Sequence, residues 1–316
     1  MKKQSKLPTL TSGVFLLVAA IFAGCAHTTI TNQALEFNKA VQQHRLDSLF
    51  LNVLRAAHRE PMAMTSINTV AATNTATGGV SSLFFPFGPL SRVTSTATLD
   101  AHLTRQPRFD LQILDNDTEF TKGFMASVDE KTISYFLNQG WRPKLLAYLF
   151  IESLQGQLED FTDRPQIDRF FNGHPPARIK IVNEPDSPVF DFLIDKYLPN
   201  LQVSETGFRI VKSNVKVFTR SPQAILYYLG ELARVSLRES PGNVPIIDGQ
   251  PLFLVRQGPK TNLNSAVSVD FRGRFYHVPN DPPNRSLSTL TLVQQLVNMQ
   301  AKKVQPPTTA IQLIGG

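Results

Sequence analysis

Apolar side chains recur through residues 33–60 at Leu46, Leu49, Phe50, Val53, Leu54 and Ala57, with polar residues between them. Steps of three and four residues place them on one stripe of a helix, which Pro61 ends. After residue 64 the rhythm changes to two. Thr, Ser, Val and Ala dominate 64–104, Gly78-Gly79 interrupts, and SRVTSTATLDAHL alternates in two-residue steps, which predicts extended, hairpin-like strands. FDLQIL at 109–114 reads as a further strand. Between the strands lies SSLFFPFGPL, where Leu83, Phe84, Phe85 and Phe87 crowd together while Pro86, Gly88 and Pro89 block a regular helix or central strand. Such a loop either plugs the core or presents an apolar contact tip.

Further on, SVDEKTISYFLNQGW reads as a helix, with Ser127 and Glu130 at capping-box spacing and Gly140 after the last turn. In KLLAYLFIESL the pattern alone does not separate a strand from a buried helix, and the bounding Pro143 and Gly156 favour a strand. LDNDTEF reads as a polar turn. Two later stretches, RIKIVNEPDSPVFDFLIDKYL and NVKVFTRSPQAILYYLGELARVSL, each run strand, Ser-Pro, amphipathic helix. Ser187 and Ser221 suit the N-cap, and Pro188 and Pro222 the first turn. The C-terminal part predicts strands at PLFLVRQ and SAVSVDFRGRFYHV, the latter turning near Arg272-Gly273, then a helix over SLSTLTLVQQLVNMQAKK and a last strand, TTAIQLIGG. The expected fold class is α+β, with mostly antiparallel strands, about five amphipathic helices and no regular βαβ rhythm.

The first residues follow a different logic. A basic MKKQSK, an apolar run from Gly13 to Phe22, and small Ala23 and Gly24 before Cys25 make a secretion signal. The run is about ten residues, short of the roughly 20 that cross a bilayer as a helix. A cysteine at this place resembles the bacterial lipoprotein signal, in which the thiol takes a diacylglyceryl group and becomes the mature N-terminus. Phe22 departs from that pattern, which prefers Leu, Val or Ile. The alternative is an ordinary signal cut after Ala26, which discards the thiol. The lipoprotein reading divides the chain into a signal (1–24), a short membrane tether (25–32) and a single α+β module (33–316), with a possible internal boundary at NGHPPAR near 172–178. By resemblance to lipoprotein sorting, Ala26 directs the protein to the outer membrane, facing the periplasm.

Cys25 is the only cysteine, so no disulfide is available to the fold. Lys2, Lys3 and Lys6 leave with the signal and the formal charge falls from +7 to about +4, which gives no indication of a nucleic-acid partner. The sequence contains no Gly-x-Ser-x-Gly elbow, phosphate-cradling glycine loop or His-Glu-x-x-His, and its six histidines are scattered singly, as surface or loop residues would be. No metal or other cofactor is expected. Glu152 is the one candidate acid: set in an apolar segment, it could serve as a general acid if buried.

LFLNVLRAAHREPMAMTS, LNQGWRPKLLAYLFIES, RSPQAILYYLGEL and LSTLTLVQQLVNMQ with PPTTAIQLIGG, in this order, resemble the landmarks of a family of uncharacterised bacterial envelope lipoproteins. The resemblance implies export, lipidation at Cys25 and one module along the whole length, and carries no activity with it. Within these landmarks, Asn52, Arg55 and Arg59 lie on or beside the polar side of the first helix and Arg220 precedes a Ser-Pro cap. They form either an anion or partner site or a structural set that satisfies backbone carbonyls and pairs with acids such as Asp47 and Glu231. The leading expectation is a non-enzymatic binding or scaffold component, attached to the membrane through lipid on Cys25 and engaging another envelope protein. The alternatives are an envelope hydrolase acting on wall polymer or lipid, and a small-ligand or lipid-binding module.

Overall fold

The first helix, α1 (38–57), buries Leu46, Leu49, Phe50, Val53 and Leu54, the stripe that the spacing predicts. The computed structural model describes residues 35–36, 38–80, 99–161, 164–185, 187–204, 207–211, 213–238, 244–259, 265–280, 285–301 and 308–315, with the backbone alone over 67–80, 99–110, 204, 207, 301 and 308–315. Cys25, the 25–32 tether and the loop carrying Leu83, Phe84, Phe85 and Phe87 lie outside the described residues. From Leu46 onward the chain belongs to one compact unit, Leu46–Gly316.

Two long strands follow, β1 (Thr65–Val80) and β2 (Leu99–Ile113), paired antiparallel; FDLQIL is the end of β2 rather than a further strand, and residues 91–98 of SRVTSTATLDAHL lie outside the described residues. Then come α2 (Thr118–Met125), α3 (Glu130–Asn138), α4 (Pro143–Phe150), β3 (Ile151–Gln157) and α5 (Arg164–Phe170). The next stretch contains β4 (Arg178–Val182), α6 (Pro188–Tyr197), β5 (Leu201–Ser204), β6 (Gly207–Ile210), β7 (Lys216–Thr219) and α7 (Pro222–Ser236). The chain ends with β8 (Ile246–Ile247), β9 (Gln250–Pro251), β10 (Arg256–Gly258), β11 (Ser265–Phe271), β12 (Arg274–Pro279), α8 (Arg285–Ala301) and β13 (Thr308–Gly315).

The class is α+β, with several small antiparallel sheets. Three have three strands, in the orders β13-β1-β2, β10-β12-β11 and β4-β3-β7. One pairing departs from the antiparallel expectation: β13, at the end of the chain, lies parallel to β1. Eight helices form among the described residues where about five were expected, the additional ones being α2, α4 and α5.

The central departure is at KLLAYLFIESL. Residues through Phe150 are helical and the strand begins only at Ile151. Leu145 to Phe150 are all buried, so α4 has no polar face and its sequence lacks the stripe by which a helix is recognised. Pro143 is therefore the N1 residue of a helix, not the boundary of a strand. Other differences are local. The cap of α3 is Asp129, whose carboxylate accepts from Thr132 N–H at 2.9 Å, rather than Ser127. In LDNDTEF the polar residues end in Asp117, which caps α2 by accepting from Phe120 N–H. In PLFLVRQ, Leu252, Phe253 and Val255 are buried without forming a strand, between β9 and β10. His277, expected at the surface, is buried in β12.

The two strand, Ser-Pro, helix stretches form as read. Ser187 accepts from Phe190 N–H and Ser221 from Ala224 N–H, at the starts of α6 and α7. Their strands, β4 and β7, occupy the two sides of β3, both antiparallel to it. The two units thus flank one central strand, and the residue that follows each strand, Asn183 or Arg220, arrives at the junction of α4 and β3.

Candidate functional site

The structure separates the sequence candidates into two places. Asn52, Arg55 and Arg59 belong to the end of α1, where the chain leaves the helix. Arg59 N–H donates to Ala56 C=O at 3.0 Å and Glu60 N–H to Arg55 C=O at 2.8 Å, the paired bonds of a Schellman ending. Arg59 occupies its left-handed position with φ of 58°. Glycine is the usual residue there, and a side chain with a Cβ costs about 1 kcal/mol.

Past Pro61 the chain is held on both sides. Asn52, 1% exposed, accepts from Ala63 N–H at 2.8 Å and donates through Nδ2 to Ala63 C=O at 2.9 Å, so one side chain pairs with both backbone groups of a residue as a strand would. Arg55 Nη1 donates to the same Asn52 Oδ1 at 3.2 Å. From the other side, Met64 N–H donates to the Asp115 carboxylate, 3.1 Å from Oδ2, and Leu114 N–H donates to Met64 C=O at 2.9 Å. Asn52, buried and paired with Ala63, therefore positions a loop, and Arg55 is half-exposed beside it.

That loop is one wall of a groove of about 490 Å³. Met62 and Met64 line it from the loop, Phe120, Phe124 and Met125 from α2, and Gln223 and Tyr227 from the first turns of α7. The volume falls in the range of small-molecule and peptide-anchor pockets, and the lining is predominantly apolar. Met64, Phe120 and Phe124 are buried, whereas Met125 and Tyr227 are exposed at its edge. The two carboxylates on the lining are both engaged: Glu60 pairs with Arg272 and Asp115 takes the Met64 N–H. Arg59 also lines the groove, and its guanidinium has no partner among the described residues.

Arg220 lies elsewhere and is committed to structure. It is 4% exposed, and its guanidinium reaches the carbonyls that α4 leaves open at its C-terminal end. Nη1 donates to the carbonyls of Tyr148 (3.0 Å), Leu149 (3.3 Å) and Ile151 (2.7 Å), and Nη2 to Asn183 C=O. Asn183 Nδ2 donates to two of the same acceptors, Tyr148 C=O and Ile151 C=O, each at 2.8 Å. The last four carbonyls of a helix have no partners within it and carry the negative end of its dipole, so a buried cation at that place is favourable. The guanidinium also lies over the Tyr228 ring, 3.9 Å from its centroid.

Burial lowers the Arg220 pKa to about 10, against the raising influence of Tyr228 and Glu152. Burial likewise pushes the Tyr228 hydroxyl up, and raises Tyr148, whose hydroxyl donates to Asp191 at 2.9 Å. Glu152 is exposed on β3, so the burial that would make it a general acid is missing. Among the described residues no three His, Cys, Asp or Glu side chains converge to hold a metal, and no helix is long and apolar enough to cross a membrane.

The sequence reading missed Met62, Met64, Phe120, Phe124, Met125 and Tyr227. The pair Met62 and Met64, in a chain with five methionines, was the one signal that could have pointed there. Comparison of the chain with protein-family models, curated proteins and solved structures finds no match in any of the three.

Proposed function

We propose that this is a lipid-anchored protein of the bacterial cell envelope, held by acyl chains on Cys25 at the periplasmic face of the outer membrane. Its folded body acts as a non-enzymatic binding component. The occupant of the methionine-lined groove is an apolar segment of another envelope protein that carries a carboxylate for Arg59. The observation that carries this reading is the groove itself, lined by thioether and aromatic side chains and by Arg59, whose guanidinium has no partner among the described residues, while both acids are engaged. Methionine side chains are unbranched and polarisable, and adapt to an inserted apolar side chain. The left-handed Arg59 adds support, because glycine would satisfy the same turn at lower cost.

Two measurements test the reading. Arg59→Gly relieves the backbone and is expected to leave the melting temperature equal or raised by a few degrees, while partner recovery, scored by a photo-crosslinker placed at Tyr227, falls several-fold. Unchanged crosslinking would remove Arg59 and the groove from the binding surface. For the anchor, Cys25→Ser removes the thiol that forms the thioether, so incorporation of labelled fatty acid is expected to vanish and the chain to accumulate with its signal attached. Two or three acyl chains are needed for stable anchoring at ~0.8 kcal/mol per buried methylene. Equal label in variant and parent would end the lipoprotein reading.

A further inference from the structure

The β13-β1-β2 ribbon has a feature that the groove does not explain. β2 is 15 residues long, and its positions alternate without interruption. Leu99, Ala101, Leu103, Pro107, Phe109 and Leu111 fall on one face, together with Ile113 and a single charge, Arg105. Asp100, His102, Thr104, Gln106, Arg108 and Asp110 fall on the other. The register extends this division across the sheet. Val70 is opposite Phe109, Ala72 opposite Pro107 and Ala76 opposite Leu103, while Ile311 and Leu313 of β13 align with Ala72 and Asn74. On the polar face Thr73 is opposite Gln106, Thr75 opposite Thr104 and Thr77 opposite His102. At the base of the ribbon, Leu111 and Ile113 of the apolar face are 56% and 58% exposed.

We propose that this ribbon enters a lipid bilayer as part of a β-barrel formed by several copies of the chain. Three physical arguments converge. First, the length fits: at about 3.4 Å per residue, 15 residues reach ~50 Å, and a tilted strand needs only about 9–11 residues to cross the ~30 Å hydrocarbon core. Second, apart from one polar pair, Arg105 opposite Asn74, the residues divide into an apolar face for hydrocarbon and a polar face for a lumen, the dyad signature of membrane strands. Third, the pairing of β1 with β2 runs without a shift from Thr69–Asp110 to Val80–Leu99, so between these two strands the backbone groups are satisfied as hydrocarbon requires.

Closure by copies follows from the same physics. Hydrocarbon satisfies no backbone N–H or C=O, so an open edge is excluded there. Within the sheet β2 and β13 each pair on one side only. Three strands fall short of the roughly eight of the smallest membrane barrels, so at least about three copies are needed. β2 runs antiparallel to β1 and β13 parallel to it, so β2 of one copy meets β13 of the next as an antiparallel, head-to-tail pair. The inference does not depend on the lipid anchor or on the groove.

The test uses full-length protein with single substitutions Leu103→Cys, Thr104→Cys, Gln106→Cys and Phe109→Cys, each labelled with an environment-sensitive fluorophore; label on the parent chain gives the Cys25 background. In vesicles of phosphatidylethanolamine and phosphatidylglycerol, positions 103 and 109 are expected to shift to the blue and 104 and 106 to keep aqueous emission. Without vesicles the four positions lose that alternation. In detergent the parent is expected to migrate as an assembly of three or more chains. Aqueous emission at all four positions in vesicles would overturn the proposal. So would the same alternation without vesicles, which would mean that the protein's own body or a second copy covers the face, or a monomer in detergent.

Discussion

Replacing Arg220 with Met is expected to lower the stability of the folded body by about 3–5 kcal/mol, a large part of the 5–15 kcal/mol that holds a typical domain together. Methionine matches the length of the side chain but donates nothing. Asn183 still serves the Tyr148 and Ile151 carbonyls, whereas the Leu149 and Asn183 carbonyls lose the guanidinium that reaches them in a buried place. Each stranded acceptor costs about 1–3 kcal/mol. Arg220→Lys is expected to recover little, because one ammonium cannot reproduce a fork that bonds four carbonyls. Urea unfolding measures both variants, and a midpoint like that of the parent would show that the cluster is not a structural keystone.

The same cluster has an alkaline signature. Tyr148 and Tyr228 have folded pKa values raised above 10, so the folded state retains protons that the unfolded chain releases. Their contribution is fully present below pH 10 and is lost as pH rises beyond it. Arg220, lowered to about 10 from 12.5, acts in the opposite sense over that interval, because the unfolded chain keeps its proton longer. Two groups outweigh one, and stability is expected to fall above pH 10.

The second large effect is at Gly230. A Cβ added there would lie 2.7 Å from Ala57 N and 2.9 Å from both the carbonyl carbon and the Cβ of Ala56. Backbone meets backbone where α7 passes α1, and neither helix can yield locally. In an exposed helix Gly→Ala gains roughly 0.5–1 kcal/mol. Here the sign is expected to reverse, with a loss of about 1–3 kcal/mol as α7 is pushed away. Gln223 and Tyr227 line the groove from the same helix, so Gly230→Ala is also expected to weaken crosslinking from Tyr227. A melting temperature equal to or above the parent's would show that the two helices have room to spare.

Legibility in the sequence followed how local each signal was. Ser187-Pro188 and Ser221-Pro222 announced α6 and α7 because a cap and a first turn are neighbours in the chain. The stripe of α1 was readable because one side of that helix faces water. α4 was not, because burial on every side removes the period that distinguishes a helix from a strand. Arg220 was singled out, but the carbonyls that explain it lie about 70 residues earlier, and no spacing rule connects them. The groove was invisible for the same reason: the α1 end, α2 and α7 each supply a part, and only packing assembles them. His277 shows the reverse error, since an isolated histidine in sequence carried no sign that β10 and β11 would enclose it.

The position of β3 between β4 and β7 has a consequence for synthesis. β3 is complete at residue 157, yet both of its neighbours, and the two side chains that close the open end of α4, are made later. A growing chain therefore exposes an apolar helix with unpaired carbonyls until residue 220 has emerged. β1 waits still longer, since its partner β13 is the last strand among the described residues. The body is thus a late folder, and a product truncated before Arg220 is expected to be a substrate for proteases rather than a smaller folded domain.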